Sequence, residues 1–356
     1  MMKLGSILSE IDRKYPFLLQ EEWDNSGLQI GNPMDQIRGI MVGLDLTEKM
    51  IAKAIESKCN LIITHHPLFF SPVKSLNFSR LQAKKVRELI LRRISLISLH
   101  TNLDSAAGGI NDYLADLFEG HSTQLLASRE KIFKITVFVP ESHLDEVKTA
   151  LIAGGASVIG NYDCCFFAAP GTGSFRGNPS TRPFIGKPGA IEQVDEVRLE
   201  TICRERHLRK SLNNMLAVHP YQEVAYDFFE VQPPSATDGI GRIRHLDSPV
   251  KASAILGILR KNGFQPQAAG DLKKIVRKIA ICSGSSGREI VSATVNRRLD
   301  LLLTGELRYH DSLELQESGI LPVSLGHFGS ETCFSSILKD FLQTFFKGLI
   351  SVPENE

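Results

Sequence analysis

Leu61-Ile62-Ile63-Thr64-His65-His66-Pro67 is a short apolar run that ends in two adjacent histidines and a proline. Residues 61–64 read as a short strand. The two imidazoles that follow do not both bury comfortably, because each carries a donor and an acceptor that need partners. A histidine pair at a strand end is a candidate for metal ligation.

Outward from this stretch the pattern alternates. Residues 39–46, GIMVGLDL, read as a strand, and Thr47 then caps a helix with Met50, Ile51, Ala54 and Ile55 on one face. A helix is predicted over 79–93 and a strand over 94–100. Short apolar strands separated by amphipathic helices indicate a mostly parallel sheet covered on both faces. At the N-terminus, Leu4, Ile7, Leu8 and Ile11 follow helical spacing, with Glu10 and Asp12 among them, which does not fit a signal peptide.

The middle changes character. Residues 134–140 read as an alternating strand, 142–153 as a helix closed by Gly154-Gly155, and 162–169 as a strand. A Gly/Pro/Ser-rich loop is expected over 170–188, then a strand at 196–204, a helix at 207–216 and a strand at 224–231. This βαββαβ order is the ferredoxin-like pattern. Pro233-Pro234-Ser235 marks a linker. The first style then returns, with helix 252–261, strands 278–282 and 300–304, and a helix opened by Asp311 with Gly319 past its end. Strand 321–325 follows, then a helix with Phe334, Ile337, Leu338, Phe341, Leu342 and Phe345 on one stripe. The expected fold class is α/β: a discontinuous α/β metal-binding domain from 1–130 and 236–356, with a ferredoxin-like domain inserted at 131–235. There is no internal short-period repeat.

Composition agrees with this organisation. At 356 residues two domains are expected, and 42% hydrophobic residues suffice for sizeable cores. A net charge of +1 argues against nucleic acid and anionic membranes as partners. Six scattered cysteines form no C-x-x-C, so neither a zinc ribbon nor a thioredoxin motif is supported. Free thiols, and no apolar run of membrane-spanning length, lead to the expectation of a cytoplasmic protein.

Three clusters carry chemistry. They are His65-His66 after LIIT, Asp104 in LISLHTNLD, and His327 with Glu331 in LPVSLGHFGSE. Each follows a short buried strand, and in open α/β sheets ligands collect at the carboxyl edge. Alone, Asp104 reads as a turn or cap residue and His327 as an ordinary satisfied histidine. Together the five exceed the three protein ligands usual for one catalytic zinc. They suit two divalent ions with a bridging carboxylate, about 3.5–4 Å apart. The net positive charge favours an anionic substrate such as a phosphate.

The motifs EEWDNSGLQIGN, VGLDLT, ITHHPLFF, LHTNLDSAAGGIND, LLLTGELRYHDSLELQESGI and GHFGSE together resemble the Nif-three-like proteins, the GTP cyclohydrolase 1 type 2 homologues. GTGSFRG, RPFIG and VHPYQEVAYDFFEV resemble the long bacterial form with a PII-like or CutA-like insert. The resemblance implies a dinuclear centre on His65, His66, Asp104, His327 and Glu331, with Glu331 bridging and one adjacent histidine on each metal. It implies zinc, iron or manganese as the divalent ions, and a toroidal homohexamer with the sites facing its cavity. Many relatives carry a second histidine beside His310, where this chain has Tyr309.

Other residues are read around that set. Glu306 and His310 follow the strand DLLLT as a four-spaced acid/imidazole pair and are candidate general acid/base residues. His100 precedes Asp104 by four and orients a ligand, donates a proton or makes a structural hydrogen bond. Trp23-Asp24-Asn25 reads as a site wall or a local turn, and Asp45 as a weaker acid/base candidate. SGSSG at 283–287 is either a phosphate cradle or a tight strand–helix turn. His219 reads as structural.

The leading functional expectation is a dinuclear-metal-dependent hydrolase of a nucleotide-like anion, with ring opening of GTP as its specific version. There, water adds at guanine C8, His310 or Glu306 protonates a ring nitrogen, and formate leaves. The alternatives are a phosphoester hydrolase and a non-catalytic metal-binding ring acting as scaffold or regulator.

Overall fold

The computed structural model describes residues 2–126, 131–160, 162–231 and 238–353. These form two compact units: residues 2–126 with 238–353, and residues 131–160 with 162–231. The expected linker at 233–235 lies outside the described residues.

The first unit holds two main sheets, where the sequence suggested one. The five-stranded sheet runs Leu349–Ser351, Gly39–Gly43, Leu61–Thr64, Ser95–Ser98, Gly27–Ile30. All neighbours are parallel except Gly27–Ile30, an antiparallel edge. The six-stranded sheet runs Gln267–Ala268, Leu321–Ser324, Leu301–Glu306, Ile275–Ser285, Arg242–Lys251, Gly120–Gln124. Its parallel centre is Leu321–Ser324, Leu301–Glu306 and Ile275–Ser285, and the outer pairings are antiparallel.

Strand alternation explains how the two sheets share one core. Ile40, Val42, Leu61, Ile63 and Ile97 point to one side, and Met41, Ile62 and Leu96 to the other. Ile279, Ile281, Leu301, Leu303 and Val323 join the first set in a common core. The helices Leu4–Lys14, Ala252–Lys261 and Phe334–Gln343 supply Ile7, Ile11, Ile255, Leu259, Leu338 and Leu342 to it. Each fully buried side chain of this size contributes about 1.5–3 kcal/mol by leaving water. The opposite faces have separate covers. Helices Glu48–Glu56 and Leu81–Arg92 lie over Met41 and Ile62, and helices Arg288–Asn296 and Tyr309–Glu317 over Ala280 and Leu302. Thr47 caps Glu48–Glu56, its hydroxyl accepting from the Met50 amide at 3.0 Å.

The second unit has the chain order strand, helix, strand, strand, helix, strand. Its antiparallel sheet runs Tyr226–Val231, Ile132–Val139, Glu192–Arg204, Phe167–Phe175. Val147, Leu151, Leu212 and Met215 from the two helices cover Ile135, Val137 and Leu199. Here the expected loop from 170 gives way to strand through Phe175. Pro170 sits opposite Val197 on an edge strand, where a missing N–H leaves no ladder bond unmade.

Candidate metal centre

The site is built at the ends of matching strands in the two sheets of the first unit. The strand Leu61–Thr64 runs into His65 and His66, and Leu301–Glu306 ends in Glu306. The strands beside them, Ser95–Ser98 and Leu321–Ser324, are followed by five-residue helices. Thr101–Ser105 carries Asp104, and His327–Glu331 carries both of its terminal residues to the site.

Each histidine is oriented by a bond at Nδ1, which leaves Nε2 as the free donor atom. His65 Nδ1 donates to the Leu99 carbonyl at 2.7 Å, and His66 Nδ1 to Asp45 at 3.0 Å. His327 Nδ1 donates to Glu306 at 3.3 Å. The three Nε2 atoms converge on one carboxylate. Glu331 lies 3.6 Å from His65 Nε2, 3.2 Å from His66 Nε2 and 3.4 Å from His327 Nε2. Asp104 stands a little further out, 3.9 Å from His65 Nε2.

These atoms face one another without completing hydrogen bonds. His65 Nε2, His66 Nε2 and Glu331 Oε2 are buried and have no hydrogen-bond partner. Orphaned buried polar atoms are costly, at about 1–3 kcal/mol each. Donor atoms about 2.1 Å from a tetrahedral ion stand roughly 3.4 Å apart, so the spacing fits a shared cation. Two groups of three bring their donor atoms within 4.8 Å of one another: His65, His66, His100 and His66, His327, Glu331. Either could hold a metal ion.

The electrostatics show how unbalanced the side chains are by themselves. Burial works to raise the Glu331 carboxyl, yet His65 and His66 outweigh it and hold it well below the usual carboxylate range. Burial disfavours charge on His66, but Asp45 and Glu331 raise it to about 10. His65 is raised too, with Asp104 and Glu331 overcoming its burial. Asp104 is raised by burial and by the Glu331 charge. The nearby thiols of Cys282 and Cys333 are pushed by burial to about 12, which suits core residues rather than ligands.

The segment 283–287 braces the carboxylates, and three of its amides are already engaged. Ser283 Oγ donates to Asp104 at 2.8 Å. The Ser283 amide is taken by Asn111, the Gly284 amide by Ser330 and the Ser286 amide by the Glu306 carbonyl. Gly284 has a left-handed φ of +61°, and a Cβ there would stand 2.7 Å from Glu331 Oε1. Buried Arg242 fixes the loop beyond Asp104. Its guanidinium donates to the Ala106 carbonyl at 3.1 Å and the Gly241 carbonyl at 2.9 Å, and pairs with Asp112.

The three acid/base candidates fall in different places. His100 stands edge-on to His65, with ring centroids 5.2 Å apart, and donates from Nδ1 to Asp24 at 2.8 Å. Asp24, which also accepts from the Thr101 amide, is held down to about 2; burial opposes this, and the bonds to His100 and Thr101 win. Glu306 is exposed and touches the ligand set through His327. His310 is exposed beside Tyr309, and no contact joins it to the five ligand candidates among the described residues. His219, in the other unit, bonds the Phe138 carbonyl and the Tyr221 amide, a structural role. Ser283, Asn111 and Ser330 lie within SGSSG, LHTNLDSAAGGIND and GHFGSE, but their bracing role carried no signal, because Ser and Asn occur in every loop.

Among the described residues no helix is long and apolar enough to cross a membrane. The family model of Duf34/NIF3 (NGG1p interacting factor 3) matches residues 2–353. A Halalkalibacterium halodurans protein named GTP cyclohydrolase 1 type 2 homolog is 34% identical over 326 residues, 90% of this chain and 87% of the relative. A Mycobacterium leprae protein of the same name is 31% identical over 360 residues, 98% and 92% respectively. A crystal structure of a Bacillus cereus protein related to NIF3 superposes with a TM-score of 0.84 at 30% identity, covering 100% of this chain and 97% of that one. With its two-sheet unit, its converging histidines and this match along its length, the chain belongs to the Duf34/NIF3 family.

Proposed function

We propose that the chain is a dinuclear-metal-dependent hydrolase of a nucleotide-like anion, with ring opening of GTP as the specific reaction. One observation carries the reading: the orphaned, buried His65 Nε2, His66 Nε2 and Glu331 Oε2 aim at common points. Glu331 would be the shared carboxylate of the set, since among the described residues it alone approaches three imidazoles. His65, His66, Asp104 and His327 complete the set. Divalent ions bound there would supply a Lewis acid for a substrate oxygen and water of lowered pKa.

The protein's own part is orientation and proton handling. Leu99, Asp45 and Glu306 fix the imidazole tautomers so that each Nε2 presents a lone pair. His100, directed by Asp24, is the group best placed to hold a proton for a ring nitrogen. Glu306 acts through His327 as a positioning residue. The relatives' name, GTP cyclohydrolase 1 type 2 homolog, supports the choice of GTP. We read the βαββαβ unit as the ferredoxin-like insert and the assembly as a toroidal hexamer, to be checked by sedimentation.

The test is formate release from GTP by metal-replete protein, beside Glu331→Ala. Turnover lost in the variant together with bound metal establishes the reaction. About two metals per chain without turnover removes the cyclohydrolase and turns attention to phosphoesters.

A further inference from the structure

Trp23 is the chain's only tryptophan, and it is 60% exposed. Phe70 is 51% exposed. Side chains this large and apolar normally supply core or interface area. These two are not scattered over the surface. Trp23 stands edge-on to His100 at 5.7 Å between ring centroids, and Phe70 edge-on to the same imidazole at 5.8 Å. His100 in turn lies 5.2 Å from the His65 ring and 5.6 Å from the His66 ring. The two aromatics therefore flank the His100 imidazole, one ring away from the buried donor atoms.

Between the segments 22–25 and 69–73 lies an open cleft of about 410 Å³. Its frame is cross-braced. Asn25 Nδ2 donates to the Phe69 carbonyl at 2.7 Å, and Gln29 Oε1 accepts from the Phe69 amide at 3.3 Å. The Asp24 carboxylate is occupied by His100, Thr101 and Ser26. The cleft thus carries two aromatic rings on braced segments, with the Asp24 and Asn25 side chains engaged and Glu22 and Ser71 also in its lining. Such a surface recognises a flat ring by stacking rather than by a hydrogen-bond code.

We propose that Trp23 and Phe70 form a stacking clamp for the heteroaromatic base of a nucleotide, setting the base edge beside His100. This rests on the hydrolase reading above and names the feature that selects its substrate class. Stacking tolerates any base. The clamp accordingly separates base-bearing anions from base-free ones, and barely separates guanine from adenine.

The lone tryptophan is its own reporter. Metal-replete full-length chain is titrated with GTP, ATP and inorganic tripolyphosphate while Trp23 emission is followed. GTP and ATP are expected to quench it with dissociation constants within about fivefold of each other, and tripolyphosphate to leave it unchanged. Phe70→Ala is expected to weaken GTP binding about tenfold, with metal content unaltered. Quenching by tripolyphosphate equal to that by GTP overturns the clamp, as does an unaltered GTP affinity in Phe70→Ala. So does the absence of quenching at millimolar GTP. Metal content and product release on the same samples keep the two readings apart. Formate release without a tryptophan response removes the clamp and leaves the hydrolase. Quenching without metal or turnover keeps the clamp and removes the hydrolase.

Discussion

The two halves of the discontinuous unit trace one path twice. In each, an N-terminal helix leads past an antiparallel edge strand, Gly27–Ile30 or Gln267–Ala268, and through strand, helix, strand, helix and strand to a five-residue helix. Even the connecting bonds recur. The Asn60 amide donates to the Gly39 carbonyl and the Asp300 amide to the Lys278 carbonyl, both at 3.1 Å. The Leu99 amide bonds the Thr64 carbonyl as the Leu325 amide bonds that of Thr304. By this register His65 corresponds to Gly305 and His66 to Glu306. The first half spends these positions on imidazoles. The second leaves Gly305 bare, because a Cβ there would meet the Gly284 carbonyl at 2.3 Å and Ser330 Oγ at 2.6 Å. It answers instead with Glu331, a buried carboxylate on its five-residue helix, where the first half carries Asp104 on Thr101–Ser105. The two halves share the work: the first supplies His65, His66 and Asp104, the second His327 and Glu331, and Glu331 faces imidazoles from both.

The largest effect is expected at the shared point. Glu331→Gln keeps the shape and removes the charge that three imidazoles face, so metal affinity falls by at least about a hundredfold; metal analysis after gel filtration reads it. If the variant retains all its metal, the halves are independent sites. Next come the two carboxylates that orient histidines from opposite halves. Asp45→Ala is expected to cost roughly ten- to a hundredfold in metal affinity. Glu306→Gln costs less, since its bond is longer and His327 is more open than His66. A Glu306 variant that keeps its metal but loses turnover would make that residue catalytic and break the parallel. Gly305→Ala probes the asymmetry directly. Overpacking against Gly284 and Ser330 should lower stability by about 1–3 kcal/mol in chemical denaturation, whereas the same position in the first half holds a full imidazole.

The smallest effect lies outside both halves. Burial depresses His219, whose Nε2–H donates to Phe138 and whose Nδ1 accepts from Tyr221. A histidine lowered by folding stabilises the neutral form. Its contribution is complete above the ordinary histidine pKa, declines as pH falls through that value and levels off below the depressed one. Protection of the Tyr221 amide, corrected for intrinsic exchange, should fall between about pH 7 and 5 in wild type. It should be flat in His219→Gln, with the metal centre unaffected in either.

Much of this was legible from residue order. The helix Ala252–Lys261 and the strand Leu61–Thr64 follow from apolar spacing, and the ligand candidates follow from strand ends. The second sheet was not legible, because alternation reveals a strand without naming its neighbours. Arg242–Lys251 was missed since its buried arginines and Pro249 interrupt any apolar rhythm. Phe167–Phe175 was half missed because glycine and proline are tolerated on an edge. Within the site, the bracing by Ser283, Asn111 and Ser330 depends on contacts between distant segments. The two halves escaped notice as a repeat because their likeness lies in hydrogen bonds and register rather than in shared residues.

Arg242 gives this arrangement a direction in time. It lies late in the chain, yet it fastens the loop behind Asp104, which is made early. During synthesis His65 and His66 emerge long before Glu331, so the donor set stays open until the last strands have docked. Contacts between such distant segments form slowly. A cation captured there would close a long loop of the chain and stabilise only the finished form, in proportion to the logarithm of its concentration. Metal occupancy would then be a certificate of completed folding, issued once the two ends of the chain have met.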